Sequence, residues 1–271
     1  MAGLQNLHTH TTFCDGAITP EEMVIAAIEK GCDSFGLSGH SYALHDTEYC
    51  MSQDGTRDYI TEVRRLKEKY AGRIEILLGV EQDYYSDMPA DGFDFVIGGL
   101  HCIEKGNYMV RIDSGANLQK HGVNTYYHGD YYAMLEEYYA IIADLVRKTG
   151  ADIVAHFDLV TIYNSDGNLF DENHPRYVNA ALGAMEEILK SHKLFEVNTG
   201  AMYRFSKKEP YPSMFLLKEL CKRGGEIILS SDSHHAESIC YKFDEMQQLL
   251  KTCGFKYIKR LTKDGFINIP L

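Results

Sequence analysis

Two histidines one residue apart, His8 and His10, stand at the end of a short apolar run near the start of the chain. Comparable residues recur further on. His40, Glu81, His101 and His156 each follow an apolar run, and Asp232-Ser233-His234 repeats the alternate spacing of the first pair. Side chains two positions apart on an extended chain point the same way. His8 and His10 can therefore reach one metal ion together, and Asp232 and His234 can serve one ion or two neighbouring ions. Imidazole with carboxylate suits zinc, iron or manganese, and no thiolate stands at a strand end to build a closed structural zinc site. Asp15, in a Cys14-Asp15-Gly16 turn, is either a further ligand or ordinary turn chemistry. Any one of these residues could be a packed or surface group. Six of the 12 histidines fall at strand ends beside carboxylates, and buried without metal such a set leaves costly unsatisfied polar atoms.

Eight or nine candidate ligands exceed what one ion accepts, so two or three divalent ions are expected. Ions about 3.5–4 Å apart can clamp a phosphoryl group and activate water as hydroxide. Phosphate monoesters need up to ~10²¹-fold acceleration, and several cations offset the repulsion between hydroxide and the dianion. A phosphate substrate should also meet a cationic fork. Arg204 follows the one strand end that offers no ligand, only Asn198, and Ser41 beside His40 could donate a hydrogen bond. Cys14 and Cys102 are expected to be packing residues. His45, His121, His128, His174, His192 and His235 are read as surface or structural, with His45 and His128 nearest the question.

These side chains need elements to hold them. Short apolar runs alternate with helical patterns, which argues for βα units and a mostly parallel sheet. Strands are expected near 3–8, 34–38, 74–80, 93–100, 152–155, 194–197 and 226–229. A first helix has Thr19 as N-cap, Pro20 at its first position and Glu22 to close a capping box, with Gly31 ending it. A second helix places Tyr59, Ile60, Val63, Leu66 and Tyr70 on one face; others are expected over 130–148, from Pro175, and over 238–252. Residues 104–129, with Gly115, Gly122 and Gly129, read as a long loop insertion, which in a compact domain is usually functional. The tail from Phe255 should add one short strand. Seven βα strands give a distorted (β/α)7 barrel, one domain over 1–271, with the ionisable residues at the carboxyl ends where barrel active sites lie.

The bulk properties agree with one large core: 271 residues, 45% hydrophobic. A formal charge of −12 gives no reason to bind nucleic acid or an anionic membrane surface. Seven scattered cysteines without a C-x-x-C spacing suit free thiols in a reducing compartment. No apolar run is long enough to suggest a membrane helix. A cleavable leader is not expected, since its removal would take His8 with it, and a cytoplasmic location follows.

Taken together, Leu7-His-Thr-His-Thr11 with Asp15-Gly16, Gly39-His-Ser41, Gly79-Val-Glu81, Gly99-Leu-His101, Ala155-His-Phe157 and Ser230-Ser-Asp-Ser-His234 resemble the polymerase and histidinol phosphatase (PHP) superfamily over essentially the whole chain. Length and motif spacing are most similar to its stand-alone histidinol-phosphate phosphatases. The resemblance implies a distorted seven-stranded barrel with three metal ions, and hydrolysis of L-histidinol phosphate, a small-molecule ester, in histidine biosynthesis. It implies that His8, His10, Glu81 and Asp232 surround one ion. Asp15, His40 and His234 would hold a second, and Glu81, as a bridge, with His101 and His156 a third. Relatives often carry an acidic residue before the strand-two histidine, where this chain has Gly39. The alternatives are a PHP phosphoesterase for nucleotides, sugar phosphates or phosphotyrosine, an amidohydrolase-type deaminase or amidase, and a metal-binding regulatory module without catalysis.

Overall fold

The computed structural model describes residues 3–271. Seven parallel strands form its centre: β1 (Leu4–Asn6), β2 (Cys32–Leu37), β3 (Glu75–Asp83), β4 (Phe95–Gly99), β7 (Ile153–Val154), β8 (Leu194–Asn198) and β9 (Glu226–Ser230). They are hydrogen-bonded in the order β1-β2-β3-β4-β7-β8-β9. The two outer strands meet just beyond their carboxyl ends, where His10 N donates to Ser233 O (2.8 Å) and Ser233 N to His8 O (3.1 Å). The sheet is thus a nearly closed, distorted barrel, as the alternation of runs predicts. The seam that closes it is built from the residues whose side chains carry the chemistry.

The barrel interior is filled by Leu7, Leu77, Phe95, Ile97, Ile153, Ala155, Leu194 and Ile228. The Phe95 ring needs room that only glycine leaves on two neighbouring strands. A Cβ at Gly79 would stand 2.1 Å from that ring and one at Gly36 2.7 Å. Below, the chain closes the gap between β1 and β9 with an antiparallel hairpin, β10 (Tyr257–Thr262) and β11 (Gly265–Pro270). Gln5 exchanges two 2.9 Å hydrogen bonds with the Leu261 backbone, and Leu261 joins the interior layer. The expected single tail strand is therefore two, paired with each other, because a lone edge strand would leave its ladder groups unmatched.

Helices cover the outside. α1 (Pro20–Glu29) starts at the expected capping box, Thr19 Oγ1 accepting from Glu22 N and Glu22 Oε2 from Thr19 N. α2 (Gln53–Lys69) buries Tyr59, Val63 and Leu66 against β2 and β3. α6 (Pro175–Leu189), α8 (Met214–Lys222) and α9 (Phe243–Cys253) serve the other half, with the last helix starting five residues later than its pattern suggests. The helix expected over 130–148 is broken into α4 (Tyr131–Ile142) and α5 (Leu145–Thr149).

The larger departure lies between β4 and β7. Residues 104–129 are not a structureless loop: a hairpin, β5 (Cys102–Lys105) and β6 (Tyr108–Arg111), leads into α3 (Ala116–Tyr126). Ile103, Val110, Ile112 and Val123 are buried in the larger outer core. Burial of these four side chains is what gives the segment fixed structure.

Replacing Phe95 with alanine should lower stability by about 3–5 kcal/mol, read as a fall in the denaturant midpoint. An unchanged midpoint would mean that the inner layer collapses around the loss and that the paired glycines are not matched to the ring.

Candidate metal centre

The strand ends converge on one carboxylate. Glu81 points inward from β3, 1% exposed. Its Oε2 lies 3.1 Å from His8 Nε2, 3.5 Å from His10 Nε2 and 2.9 Å from His40 Nδ1. Its Oε1 lies 2.9 Å from His156 Nε2 and 3.2 Å from His101 Nε2. Five imidazoles from β1, β2, β4 and β7 thus meet one carboxyl group. Asp232 Oδ1, from beyond β9, stands 3.2 Å from His10 Nε2 and 3.7 Å from His8 Nε2. The His-x-His spacing aims both rings at the same two acids, as extended geometry predicts.

Asp15 sits in a turn tightened by Gly16, where a Cβ would come 2.3 Å from Thr11 N. The turn brings Asp15 to His234 Nε2 (3.0 Å), His10 Nδ1 (3.4 Å) and His40 Nε2 (3.7 Å). All nine expected ligand residues are therefore brought into one cluster. Three sets place donor atoms close enough to share an ion: His10, Asp15, His40 and His234; His8, His10 and Asp232; and His40, Glu81 and His101. His10 and His40 each appear in two sets. The grouping implied by resemblance keeps them apart, and it places His156 with His101, which the shared contact with Glu81 Oε1 allows.

The donor set fits divalent ions on an observation independent of motif. Nε2 of His8 and of His10, Oδ1 of Asp15 and Oε2 of Glu81 are buried without a hydrogen-bond partner. Buried polar atoms of a folded protein are almost always paired, and these four are the atoms a cation would engage. The electrostatics run the same way. Burial pushes the Glu81 and Asp232 carboxyls up, but the histidines, and Arg204 beside Asp232, hold both well below the usual range. Burial pushes His8 and His101 down, and the facing carboxylates more than offset it, so both are raised well above the ordinary value. His10, fully buried and facing His234 and His40, is lowered to about 3. Asp232 also holds a positive φ of 45°, a strained backbone of the kind that persists where surrounding structure over-determines it.

Two carboxylates escape the reading of strand ends. Glu196, in the middle of β8, accepts from His8 Nδ1 (2.9 Å), His156 N (2.6 Å), Asn198 Nδ2 (2.7 Å) and Ser230 Oγ. Asp83, two residues beyond Glu81, accepts from His101 Nδ1 at 3.1 Å. Each fixes the far nitrogen of a ring whose near nitrogen faces the cluster, the usual way a metal-binding imidazole is oriented. Both carry a sequence signal: Glu196 interrupts an apolar strand, and Glu81-x-Asp83 repeats the spacing of His8-x-His10.

Arg204 closes α7 (Gly200–Arg204) and donates to Asp232 Oδ2 at 2.9 Å. Ser41 is largely committed, its Oγ accepting from Asp83 N at 3.0 Å, though it lines the pocket. His45 is not a plain surface residue; its Nε2 lies 3.1 Å from Cys102 Sγ and 3.8 Å from Asp83 Oδ1. His128 is exposed, away from the cluster. Cys14 and Cys102, expected to be packing residues, are thiols pushed up by burial, Cys14 to about 12, but each also touches an imidazole, Cys14 Sγ standing 3.6 Å from His10 Nδ1. At Gly39 a Cβ would meet Cys14 Sγ at 3.1 Å, so a side chain there would require that thiol to give by a few tenths of an ångström. Above the cluster opens a cavity of about 340 Å³, lined by Tyr49, Asp113, Tyr163, Arg204 and Phe205 among others.

A parallel barrel with a His/Asp/Glu cluster at its strand ends places the chain among α/β proteins with metal-ligating sites. The PHP domain family matches residues 6–200, and the chain belongs to it. Asp232 and His234 lie beyond the matched stretch, and the barrel seam brings them to it. A Deinococcus radiodurans protein named "Probable histidinol-phosphatase" is 25% identical over 265 residues, covering 94% of this chain and 95% of that one. The histidinol-phosphatase of Bacillus subtilis is 23% identical over 263 residues, 88% of this chain and 96% of that one. Among solved structures, a histidinol phosphate phosphatase from Lactococcus lactis complexed with zinc, L-histidinol and phosphate superposes with a TM-score of 0.71 at 20% identity, over 97% of this chain and 98% of that one. Among the described residues no helix is long and apolar enough to cross a membrane.

Glu196→Gln should weaken zinc binding by about 10–100-fold, measured by chelator competition, with the fold retained by circular dichroism; unchanged affinity would remove Glu196 from the site. Metal must also displace the protons that His8 and His101 hold. Their ordinary value is about 6.5 and both are raised, so apparent affinity should climb from pH 6 to pH 8 with proton release. The same raised values mean that these rings stabilise the metal-free fold fully below their unfolded value, a contribution lost as pH rises through the folded one. A flat affinity profile would contradict the protonation inferred for His8 and His101.

Proposed function

We propose that the chain is a metal-dependent phosphomonoesterase that hydrolyses L-histidinol phosphate to L-histidinol and phosphate. The observation that carries this reading is the convergence of nine donor side chains, Glu81 and eight others, with a guanidinium at the edge of the adjoining cavity. His8, His10, Glu81 and Asp232 would hold one ion, Asp15, His40 and His234 a second, and Glu81 with His101 and His156 a third. Divalent ions in these positions supply Lewis acidity and lower the pKa of water toward about 7, the nucleophile a phosphate ester needs at neutral pH. Zinc fits the imidazole-rich donor set; manganese and iron fit it too.

The chain's own residues do the rest. Arg204 lines the cavity and is held there by Asp232 and His234, its Nη2 2.9 Å from Asp232 Oδ2 and its Nη1 3.2 Å from His234 Nε2, so its positive charge would stand beside a bound phosphoryl group. Glu196 and Asp83 hold the His8 and His101 rings so that each presents its Nε2 inward. The cavity, about 340 Å³, is of a size for a small ester, and its carboxylates suit a leaving group that carries ammonium and imidazole. An extended basic groove, as nucleic acid would need, is foreign to so acidic a pocket. The relatives named histidinol-phosphatase and the Lactococcus lactis complex favour histidinol phosphate within the phosphate esters. A cytoplasmic location accords with such a biosynthetic role.

Purified protein with Mn²⁺ or Zn²⁺ should release phosphate from histidinol phosphate in preference to nucleotides, sugar phosphates and phosphotyrosine. His10→Ala should lower that rate by more than about 100-fold, the upper end of what losing even an outer partner costs a metal site. Preference for another ester would move the enzyme to a different substrate within the family. Metal binding without release from any ester would favour a deaminase, an amidase or a regulatory module.

A further inference from the structure

The cavity beside the metal centre contains several charged groups, and nearly all of them are already engaged. Asp46 pairs with Arg111, whose Nη1 stands 2.6 Å from Asp46 Oδ2. Asp83 accepts from His101 Nδ1 and from Tyr85 N. Asp15 faces His234, and Arg204 is tied to Asp232. Asp113 is different. Among the described residues its carboxylate takes part in no hydrogen bond and no ion pair, and Arg204 across the cavity does not come within pairing distance.

Its backbone, in contrast, is held from three sides. Ile112 N donates to His101 O at 2.9 Å, which anchors the exit of β6 to the end of β4. Gln119 Nε2 donates to Ile112 O at 3.0 Å from α3, and Tyr163 OH donates to the carbonyl of Asp113. The hairpin is pinned as well: Arg111 Nη2 donates to His45 O at 2.7 Å. The segment between β4 and β7 thus delivers one unpaired carboxylate to a fixed point on the cavity wall. Beside it stands an aromatic surface, Tyr163 and Phe205 edge to face at 6.4 Å. A rigid carboxylate next to ring faces is a receptor for an organic cation: the acid supplies charge and hydrogen-bond acceptors, and the rings supply apolar contact and cation–π attraction.

We propose that Asp113 is the specificity-determining residue that reads the cationic leaving group of the phosphate ester, accepting hydrogen bonds from its ammonium while Tyr163 and Phe205 flank the attached ring. This rests on the phosphomonoesterase reading above. Discrimination then comes from the segment inserted after β4, and the phosphoryl end is handled by the barrel. Because Asp113 contacts the part of the substrate that does not react, its loss acts on binding more than on turnover.

The test compares L-histidinol phosphate with its Nα-acetyl derivative, in which a neutral and bulkier amide replaces the ammonium, on the metal-loaded enzyme. Wild-type protein should favour the parent ester. Asp113→Asn should lower kcat/KM for the parent by about 10–100-fold, chiefly through KM, and leave the acetylated ester unchanged, so that the preference collapses. Asp113→Glu should restore part of it, which separates charge recognition from a structural effect. Equal loss on both esters, or a wild type that hydrolyses the acetylated ester as well as the parent, would overturn the assignment of Asp113 while the phosphatase stands. A metal-loaded wild type that hydrolyses neither ester nor p-nitrophenyl phosphate would overturn the phosphatase reading and this assignment with it.

Discussion

A carboxylate with almost no exposure, Glu81, faces five imidazoles at 2.9–3.5 Å, and most of the upper barrel is arranged around that fact. Removing a charge from water costs several kcal/mol per ion even after the protein relaxes. Glu81 is tolerated because the surrounding rings offset that cost, which is why its carboxyl is held low and the His8 and His101 rings are held high. The arrangement does not satisfy every atom, since Glu81 Oε2 and the His8 and His10 Nε2 atoms find no hydrogen-bond partner. Unmatched atoms in a buried polar network are costly, and the cost falls when they are shared among several positive partners, whether protons or cations.

The barrel's closure depends on the same residues. The seam between β1 and β9 is made by the backbone of His8, His10 and Ser233, so the strands that carry the first two histidines and the last acid–histidine pair are held together by the peptide groups beside those side chains. Pulling the seam apart would separate His10 from Asp232. Inside, Phe95 fills the layer beneath, against the bare backbones of Gly36 and Gly79. Glu81 follows Gly79 by two residues and points into the same interior one layer higher. Packing in the lower layer and charge in the upper layer are thereby set by one strand.

What the sequence makes legible follows from periodicity. Strands that are buried on both faces leave continuous apolar runs, and an ionisable residue that ends such a run is conspicuous; His40, Glu81, His101 and His156 are visible for that reason. Alternation makes His8-x-His10 and Asp232-x-His234 readable as pairs. The same rule covers Glu81-x-Asp83 and Glu196-x-Asn198, but these lie one step past the expected end of a strand or inside one, where an acid reads as an irregularity. The segment after β4 is legible only in part. Its hairpin carries a local signal, the two-residue Gly106-Asn107 turn with Gly106 at φ 61°, but its helix follows Gly115 without a side-chain cap, so the usual helix start signals are missing. Its order also depends on Ile103, Val110, Ile112 and Val123 being buried in the outer core, a tertiary cause.

That division has a structural consequence. Every barrel strand end is occupied by a side chain of the cluster or by one that orients it, β8 included, since Glu196 and Asn198 bind His8, His156 and Asp232. No strand end remains to vary without disturbing the centre. Variation in what the cavity accepts must therefore come from the segments laid over it: the turn through Tyr49, α7 with Arg204 and Phe205, and the hairpin that carries Asp113. These segments also contact one another. Arg111 of the hairpin reaches Asp46 and the His45 carbonyl, and Tyr163 reaches the Asp113 carbonyl. A change in a residue that faces only these neighbours can be absorbed there while the geometry around Glu81 stays fixed, which is how one barrel can keep its cluster and alter the shape of the cavity above it.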